Sequence, residues 1–317
     1  MSRFYDALRE AGRHTPPERV EDTAGGAVEN VLSELPVSTD APIETAAPES
    51  QITAPNIDPP SSFVPNDLLD FAGFPADDPP RINGTIGTKT DIRFDQRTCL
   101  LPHVTNSVVL EYYRRLRTKV LQEHEANPFR TLLITSPSPQ EGKTVTVLNL
   151  ALSFAMIPSF RVLVIDGDLR RGTIAPWLGM DSDRPGFTNL IEGTAKLNDV
   201  ILQCDDTNAK FLLRGNSKIP PAELLHSQRL SGEFRHFSNY FDMVLIDSAP
   251  LNLITDAQLL ATQCDAVLLV ARAFQTTRKS LEQAVQELAK FRVIGTVLNG
   301  GTRTHRYGRY NEYYKHD

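Results

Sequence analysis

Nine residues, Ser136-Pro137-Ser138-Pro139-Gln140-Glu141-Gly142-Lys143-Thr144, follow an apolar run and precede a helical pattern. Their Gly-Lys-Thr end is that of a phosphate-binding loop, in the strand–loop–helix setting such a loop requires. Backbone N–H groups at a helix start point at an anion, and the helix dipole adds to them. Lys143 can neutralise the β and γ phosphates, and the Thr144 hydroxyl can hold Mg²⁺. Gln140, Glu141, Gly142 and Val145 complete the expected nucleotide contact. One departure matters: the usual first glycine, five residues before Gly142, is Pro137. Pro137 and Pro139 have no N–H to give, so the cradle is expected to begin at about Gln140.

Two further apolar runs end in acids: Asp166-Gly167-Asp168-Leu169-Arg170-Arg171 and Asp247-Ser248-Ala249-Pro250. Charges that follow a buried strand emerge at its carboxyl edge, where open α/β sheets bind ligands. Mg²⁺ takes hard oxygen ligands and keeps its waters, so Thr144, Asp166 and Asp247 suffice as candidate metal ligands. A second carboxylate can accept the proton of an attacking hydroxyl, and Asp166 and Asp168 both remain open for that role. Arg170 or Arg171 can stabilise phosphate oxygens. A lone Asp after a strand is ordinarily a helix cap; three acids at two strand ends beyond a Gly-Lys-Thr loop favour a nucleotide site. The late strand ends in Asn299-Gly300-Gly301-Thr302, without the Lys and Asp of a GTPase signature, so adenine is the expected base.

The elements that must position these residues alternate. Strands are expected at 131–135, 162–166, 211–214, 243–247, 266–271 and 293–298, with helices at 106–125, 144–157, 222–236, 256–263 and 277–291. The strands are near-continuously apolar, which suggests a sheet covered on both faces. The expected fold is α/β: a doubly wound, mostly parallel sheet of the P-loop NTPase type.

Composition divides the chain of 317 residues unevenly. Residues 1–90 hold 12 of the 22 Pro and carry 15 acids against 6 bases, so 15–90 reads as a disordered leader. Two islands interrupt it: an amphipathic helix over 1–14 and an apolar cluster over 66–74, both candidate docking motifs. The domain that would hold the phosphate loop runs from 91 to 302, and 303–317 reads as a flexible tail. Four of the eight Tyr lie in that tail: Tyr307, Tyr310, Tyr313 and Tyr314. No apolar run approaches the length of a membrane span, and the opening residues lack the apolar stretch of a secretory signal. Cys99, Cys204 and Cys264 show no disulfide or zinc spacing, which fits a reducing cytoplasm. A net charge of −6 gives no reason to expect nucleic acid as a partner.

Several of these motifs together resemble the bacterial tyrosine autokinases of polysaccharide synthesis and export. The stretches are Asp-Gly-Asp-Leu-Arg-Arg at 166–171, the loop at 136–144, Pro185-Gly186-Phe187-Thr188, Pro221-Ala222-Glu223-Leu224-Leu225, and Asp247-Ser248-Ala249-Pro250. The likeness spans roughly 100–317, and the first eleven residues also resemble some members. Spatial-organising ATPases share the fold but carry a Lys where Ser138 stands here; they are the alternative reading. The resemblance implies autophosphorylation of the tail tyrosines with ATP and Mg²⁺ as cofactors, acting in trans within a homo-oligomer. It makes Glu111, Arg114 and Arg117 subunit contacts, and Asn299 an adenine contact. It also implies a membrane-embedded polysaccharide co-polymerase as a separate activator, a cognate tyrosine phosphatase, and recruitment from the cytoplasm to the inner membrane face. The tail carries +2, with four bases and two acids. Each phosphotyrosine adds about −1.5 to −2, so four would carry it to about −4 to −6. A tail suited to an acidic nucleotide site would then be repelled from it.

Overall fold

The structure, a computed structural model, describes residues 86–95, 108–203, 205 and 207–301. The leader helix, the 66–74 cluster, Cys99, Cys204 and the tail tyrosines lie outside the described residues.

Within the described residues one sheet holds β1 (Thr88–Lys89), β2 (Thr131–Thr135), β3 (Val162–Asp166), β4 (Ile201–Gln203), β5 (Ala209–Leu212), β6 (Met243–Asp247), β7 (Ala266–Arg272) and β8 (Val293–Asn299). Their spatial order is β1-β4-β5-β3-β6-β2-β7-β8. All neighbours run parallel except β4 and β5. The helices are α1 (Val108–Ala126), α2 (Lys143–Ala155), α3 (Ile174–Trp177), α4 (Phe187–Glu192), α5 (Leu197–Val200), α6 (Pro221–Leu225), α7 (Gln228–Tyr240), α8 (Asp256–Ala261) and α9 (Arg278–Glu287). The doubly wound, mostly parallel sheet expected from the alternation is the one found.

β2, β3 and β6 are adjacent at the centre, buried at every position, and start and stop where their apolar runs do. One face of the sheet, with Leu133, Leu163, Ile165, Ile246 and Leu269, packs on Phe234 and Phe237 of α7, Leu260 of α8 and Ala284 of α9. The alternating positions Leu132, Ile134 and Leu245 are equally buried and point to the other face. There α2 contributes the buried Val147, Leu150 and Phe154.

Several features differ from expectation. β1 sits inside the segment read as leader: it pairs with β4, and Ile86 before it is buried, so the folded unit begins upstream of residue 91. The single helix expected at 222–236 is two, α6 and α7. Ser227 interrupts it by capping α7, its side chain accepting from the Arg229 N–H. The strand expected at 211–214 starts earlier, at Ala209. β8 is the last strand and is not covered on both faces, with Leu298 64% exposed.

Candidate functional site

The loop between β2 and α2 is shaped by its own side chains before any ligand is considered. Gly142 caps α2 with φ 93°, a left-handed conformation that glycine adopts without strain. A Cβ there would collide with the Asn299 side-chain nitrogen. Asn299 closes that flank: its Nδ2 donates to the Glu141 carbonyl at 3.0 Å and to Thr146 Oγ1 at 3.2 Å. Glu141 is fully buried, and its carboxylate accepts from the Ser138 N–H at 2.8 Å. The Ser138 N–H is therefore engaged, and the donors left for an anion lie past the prolines.

Lys143 opens α2 and is 8% exposed. Burial holds its ammonium below the ordinary lysine range, while Asp247, Asp168 and Glu141 act in the opposite sense. Thr144 beside it donates to Asp247 Oδ2 at 2.6 Å, and Thr173 donates to the same oxygen at 3.0 Å.

Asp166 and Asp247 end adjacent strands and are register partners. Both are fully buried. Asp166 Oδ2 accepts from the Ile174 N–H at 2.9 Å, at the start of α3. The remaining oxygens, Asp166 Oδ1 and Asp247 Oδ1, are buried without a hydrogen-bond partner. Burial drives the Asp166 carboxyl well above its usual range, and the neighbouring Asp247 pushes it further. Asp247 is pushed up to about 6 by burial, held back by Lys143 and the two threonine hydroxyls. Asp168 lies just beyond, 4% exposed, and accepts from the Arg171 N–H at 3.2 Å.

Unpaired buried carboxylate oxygens call for a cation or a proton. Two such oxygens beside a threonine hydroxyl make a hard-oxygen donor set that suits Mg²⁺ and leaves positions for phosphate and water. Thr144, Asp166 and Asp247, expected as metal ligands, are thus brought to one place.

Other expected residues land differently. The Arg170 guanidinium makes two bonds to Asp256, Nε to Oδ2 at 2.7 Å and Nη2 to Oδ1 at 3.1 Å. That engagement departs from the expectation of an arginine turned to phosphate. Arg171, its neighbour, is the one whose charge acts on Lys143. On α1, Glu111 pairs with Arg114 at 3.8 Å and with Arg115 at 3.7 Å. Arg117 instead donates from Nη1 to the Ser153 carbonyl of α2. Tyr113 hydrogen-bonds Thr146 and Asn149, so α1 is strapped along the phosphate-loop helix. Thr173, Asp256, Arg272 and Thr276 are the participants the motif reading missed. They are common polar residues on loops, and only the strand order reveals their nearness.

The chain is similar to known proteins over the region that holds this site. A family model described as an AAA domain matches residues 140–296. The tyrosine-protein kinase CpsD of Streptococcus agalactiae is 31% identical over 212 residues, covering 65% of this chain and 90% of the relative. A protein of Staphylococcus aureus named putative tyrosine-protein kinase CapB is 30% identical, over 61% of this chain and 85% of its own length. Among solved structures, the kinase domain of the Escherichia coli tyrosine kinase ETK aligns with a TM-score of 0.57 and 27% identity, covering 63% of this chain and 80% of that domain.

Proposed function

The chain belongs to the bacterial tyrosine-protein kinases, and on that premise we propose that it is an autokinase that transfers the γ-phosphoryl of ATP to its own Tyr307, Tyr310, Tyr313 and Tyr314. The observation that carries the reading is the pair of unpartnered oxygens on Asp166 and Asp247 beside Thr144 and Lys143. An ATP polyphosphate accompanied by Mg²⁺ supplies the charge and the coordination that this cluster needs.

In the proposed mechanism the N–H groups of Gly142, Lys143 and Thr144 receive phosphate oxygens. The Lys143 ammonium neutralises charge that develops on the transferred group. Thr144, Asp166 and Asp247 would hold Mg²⁺, which supplies electrostatic stabilisation of the phosphate oxygens. Asp168, the one of the three acids with exposed surface, accepts the proton of the incoming tyrosine hydroxyl. A bond forms between the tyrosine oxygen and the γ phosphorus, the bond to the bridging β–γ oxygen breaks, and ADP leaves. A tyrosine hydroxyl has a pKa near 10, so an adjacent carboxylate is needed to take the proton as the bond forms.

Transfer in trans within a homo-oligomer is part of the proposal. Six of the seven exposed large apolar residues among the described ones, Val109, Tyr112, Ile219, Leu253, Phe274 and Leu298, support it; the seventh is Met156. All six sit at or beyond the carboxyl ends of the strands, or at the start of α1 alongside the start of α2. An apolar rim around a nucleotide site suits contact with another chain. The partners proposed are a membrane-embedded polysaccharide co-polymerase as activator and a cognate phosphatase, with the kinase at the inner membrane face. Among the described residues no helix is long and apolar enough to cross a membrane. The physiological output proposed is control of capsule or exopolysaccharide synthesis.

Phosphotyrosine blotting of wild type and Lys143→Met tests the core of this reading: signal is expected in the first alone, and equal signal in both refutes it. Mixing tail-intact Lys143→Met with an active chain lacking 303–317 tests the trans step. The inactive chain should become phosphorylated; if it stays unmodified, transfer in trans does not occur.

A further inference from the structure

The end of β7 and the turn after it reach back onto the phosphate loop and hold it by two residues, Arg272 and Thr276. Arg272 Nη1 donates to the Gln140 carbonyl at 2.9 Å. Thr276 Oγ1 donates to Glu141 Oε1 at 2.5 Å. The Thr276 hydroxyl is committed by its own surroundings: it accepts from the Arg272 N–H at 2.7 Å, so its proton is what remains to give. The Thr276 N–H in turn donates to the Arg272 carbonyl at 2.9 Å, which closes the turn.

Glu141 is unusual for a loop carboxylate in being fully buried. Burial of a charge is costly unless each oxygen is satisfied. The Ser138 N–H satisfies one oxygen and the Thr276 hydroxyl the other. The loop is also under backbone strain at the same place. Gln140 has φ 60° and Phe274, within the gripping turn, has φ 62°. A non-glycine residue in that region costs about 1–2 kcal/mol and persists only where its surroundings hold it. Both strained residues lie where β7 meets the phosphate loop.

We infer that Thr276 is a positioning residue for phosphoryl transfer, acting through Glu141. Its hydroxyl holds the Glu141 carboxylate back from the phosphates and from Lys143, which leaves the ammonium and the N–H groups of 142–144 aimed at the polyphosphate. Glu141 is one of the acids whose charge acts on Lys143, so a released carboxylate has a cation to turn toward. Without the hydroxyl, Glu141 competes with the polyphosphate for Lys143. The inference rests on the nucleotide reading above and specifies how that site is kept in shape.

The test uses the full chain, with ATP and inorganic tripolyphosphate as probes in the presence of Mg²⁺, and compares Thr276→Val, Thr276→Ser and Glu141→Gln. Thr276→Val keeps the shape and removes the hydroxyl. It should weaken ATP and tripolyphosphate about tenfold and equally, the scale of one lost hydrogen bond to a charged group. KM for ATP should rise more than kcat falls. Thr276→Ser should restore binding to within about twofold of wild type. In a Glu141→Gln background, Thr276→Val should cost little further, because the amide carries no charge to release. Wild-type affinity in Thr276→Val, failure of the serine rescue, or a valine penalty undiminished beside Glu141→Gln each overturns the inference while leaving nucleotide binding intact. A wild type that binds neither probe overturns the nucleotide reading and this inference together.

Discussion

Asp166 and Asp247 stand side by side on β3 and β6, register partners whose carboxyls share one buried face. Neighbouring parallel strands lie about 4.8 Å apart, so two buried carboxylates at this register meet at close range. Lys143 and two hydroxyls act on Asp247, whereas only backbone N–H groups relieve Asp166. The centre is therefore held poorly at neutral pH until a cation joins it. Binding free energy that relieves a buried like-charge pair is available to select for the metal-accompanied polyphosphate.

The first prediction follows from that imbalance. Asp166 is raised in the folded state from 3.8, its ordinary value. A raised acid contributes stability that is full below its unfolded pKa and is lost as pH rises through the folded one. Asp166→Asn removes the charge, and its amide can donate to the unpartnered Asp247 Oδ1. Without Mg²⁺ or nucleotide, the variant should melt about 5 °C above wild type near pH 8, with the gap closing toward pH 4. Phosphotransfer should be lost. Calorimetry across that range checks it, and a gap independent of pH contradicts it.

Arg170 and Asp256 form a pair of unequal burial: the Arg170 side chain is 47% exposed and that of Asp256 is 1%. Removing the arginine strands a buried carboxylate, while removing the carboxylate leaves an arginine that can reach water. With solvent screening on the arginine side, Arg170→Ala should cost about 1–2 kcal/mol and Asp256→Asn under about 1. Urea melts measure both. If the pair only fixes the turn after β3, kcat should fall to a similar, less than tenfold, extent in each. A hundredfold loss confined to Arg170→Ala would show that the arginine leaves Asp256 to meet phosphate.

Tyr113 illustrates a tyrosine that the fold withdraws from the chemistry. Burial pushes its hydroxyl up to about 12, although Thr146 and Asn149 hydrogen-bond it. Tyr113→Phe should cost about 1 kcal/mol, a melting shift of roughly 2–4 °C. Phosphosite mass spectrometry of wild-type protein should find no phosphate on Tyr113. Its detection there would mean that α1 leaves α2 during the reaction.

What could be read from the residues depended on contiguity. The phosphate loop, Asp166 and Asp247 follow apolar runs directly, and parallel-strand topology sends every such strand end to one edge. The strand ends at Asp166 and Asp247 were therefore legible to the residue. Thr276 and Asp256 were not. Each lies more than 80 positions from its partner, and nothing local marks a threonine or an aspartate as gripping another loop. Their contacts depend on β7 lying beside β2 and on α8 lying near the turn after β3. β1 was hidden for a different reason: a two-residue strand has no period to detect. β8 misled because an edge strand with Leu298 exposed has the same apolar composition as a buried one.

Asn299 offers the sharpest separation between two roles. A base contact would make it discriminate among nucleotides. Its Nδ2 is instead directed at the Glu141 carbonyl and Thr146 of the phosphate loop. Asn299→Ala should therefore weaken ATP, GTP and tripolyphosphate to the same degree, about tenfold. Gly142→Ala should be far worse, because it adds a Cβ against Asn299 and forces alanine to the left-handed φ 93°. Combining the two removes the collision but not the backbone cost of about 1–2 kcal/mol. The double variant should bind ATP better than Gly142→Ala yet more weakly than Asn299→Ala. Titration calorimetry with the three ligands decides it. A loss confined to ATP in Asn299→Ala would assign the side chain to adenine. A double variant as tight as Asn299→Ala would show that the collision, and not the backbone conformation, makes Gly142 necessary.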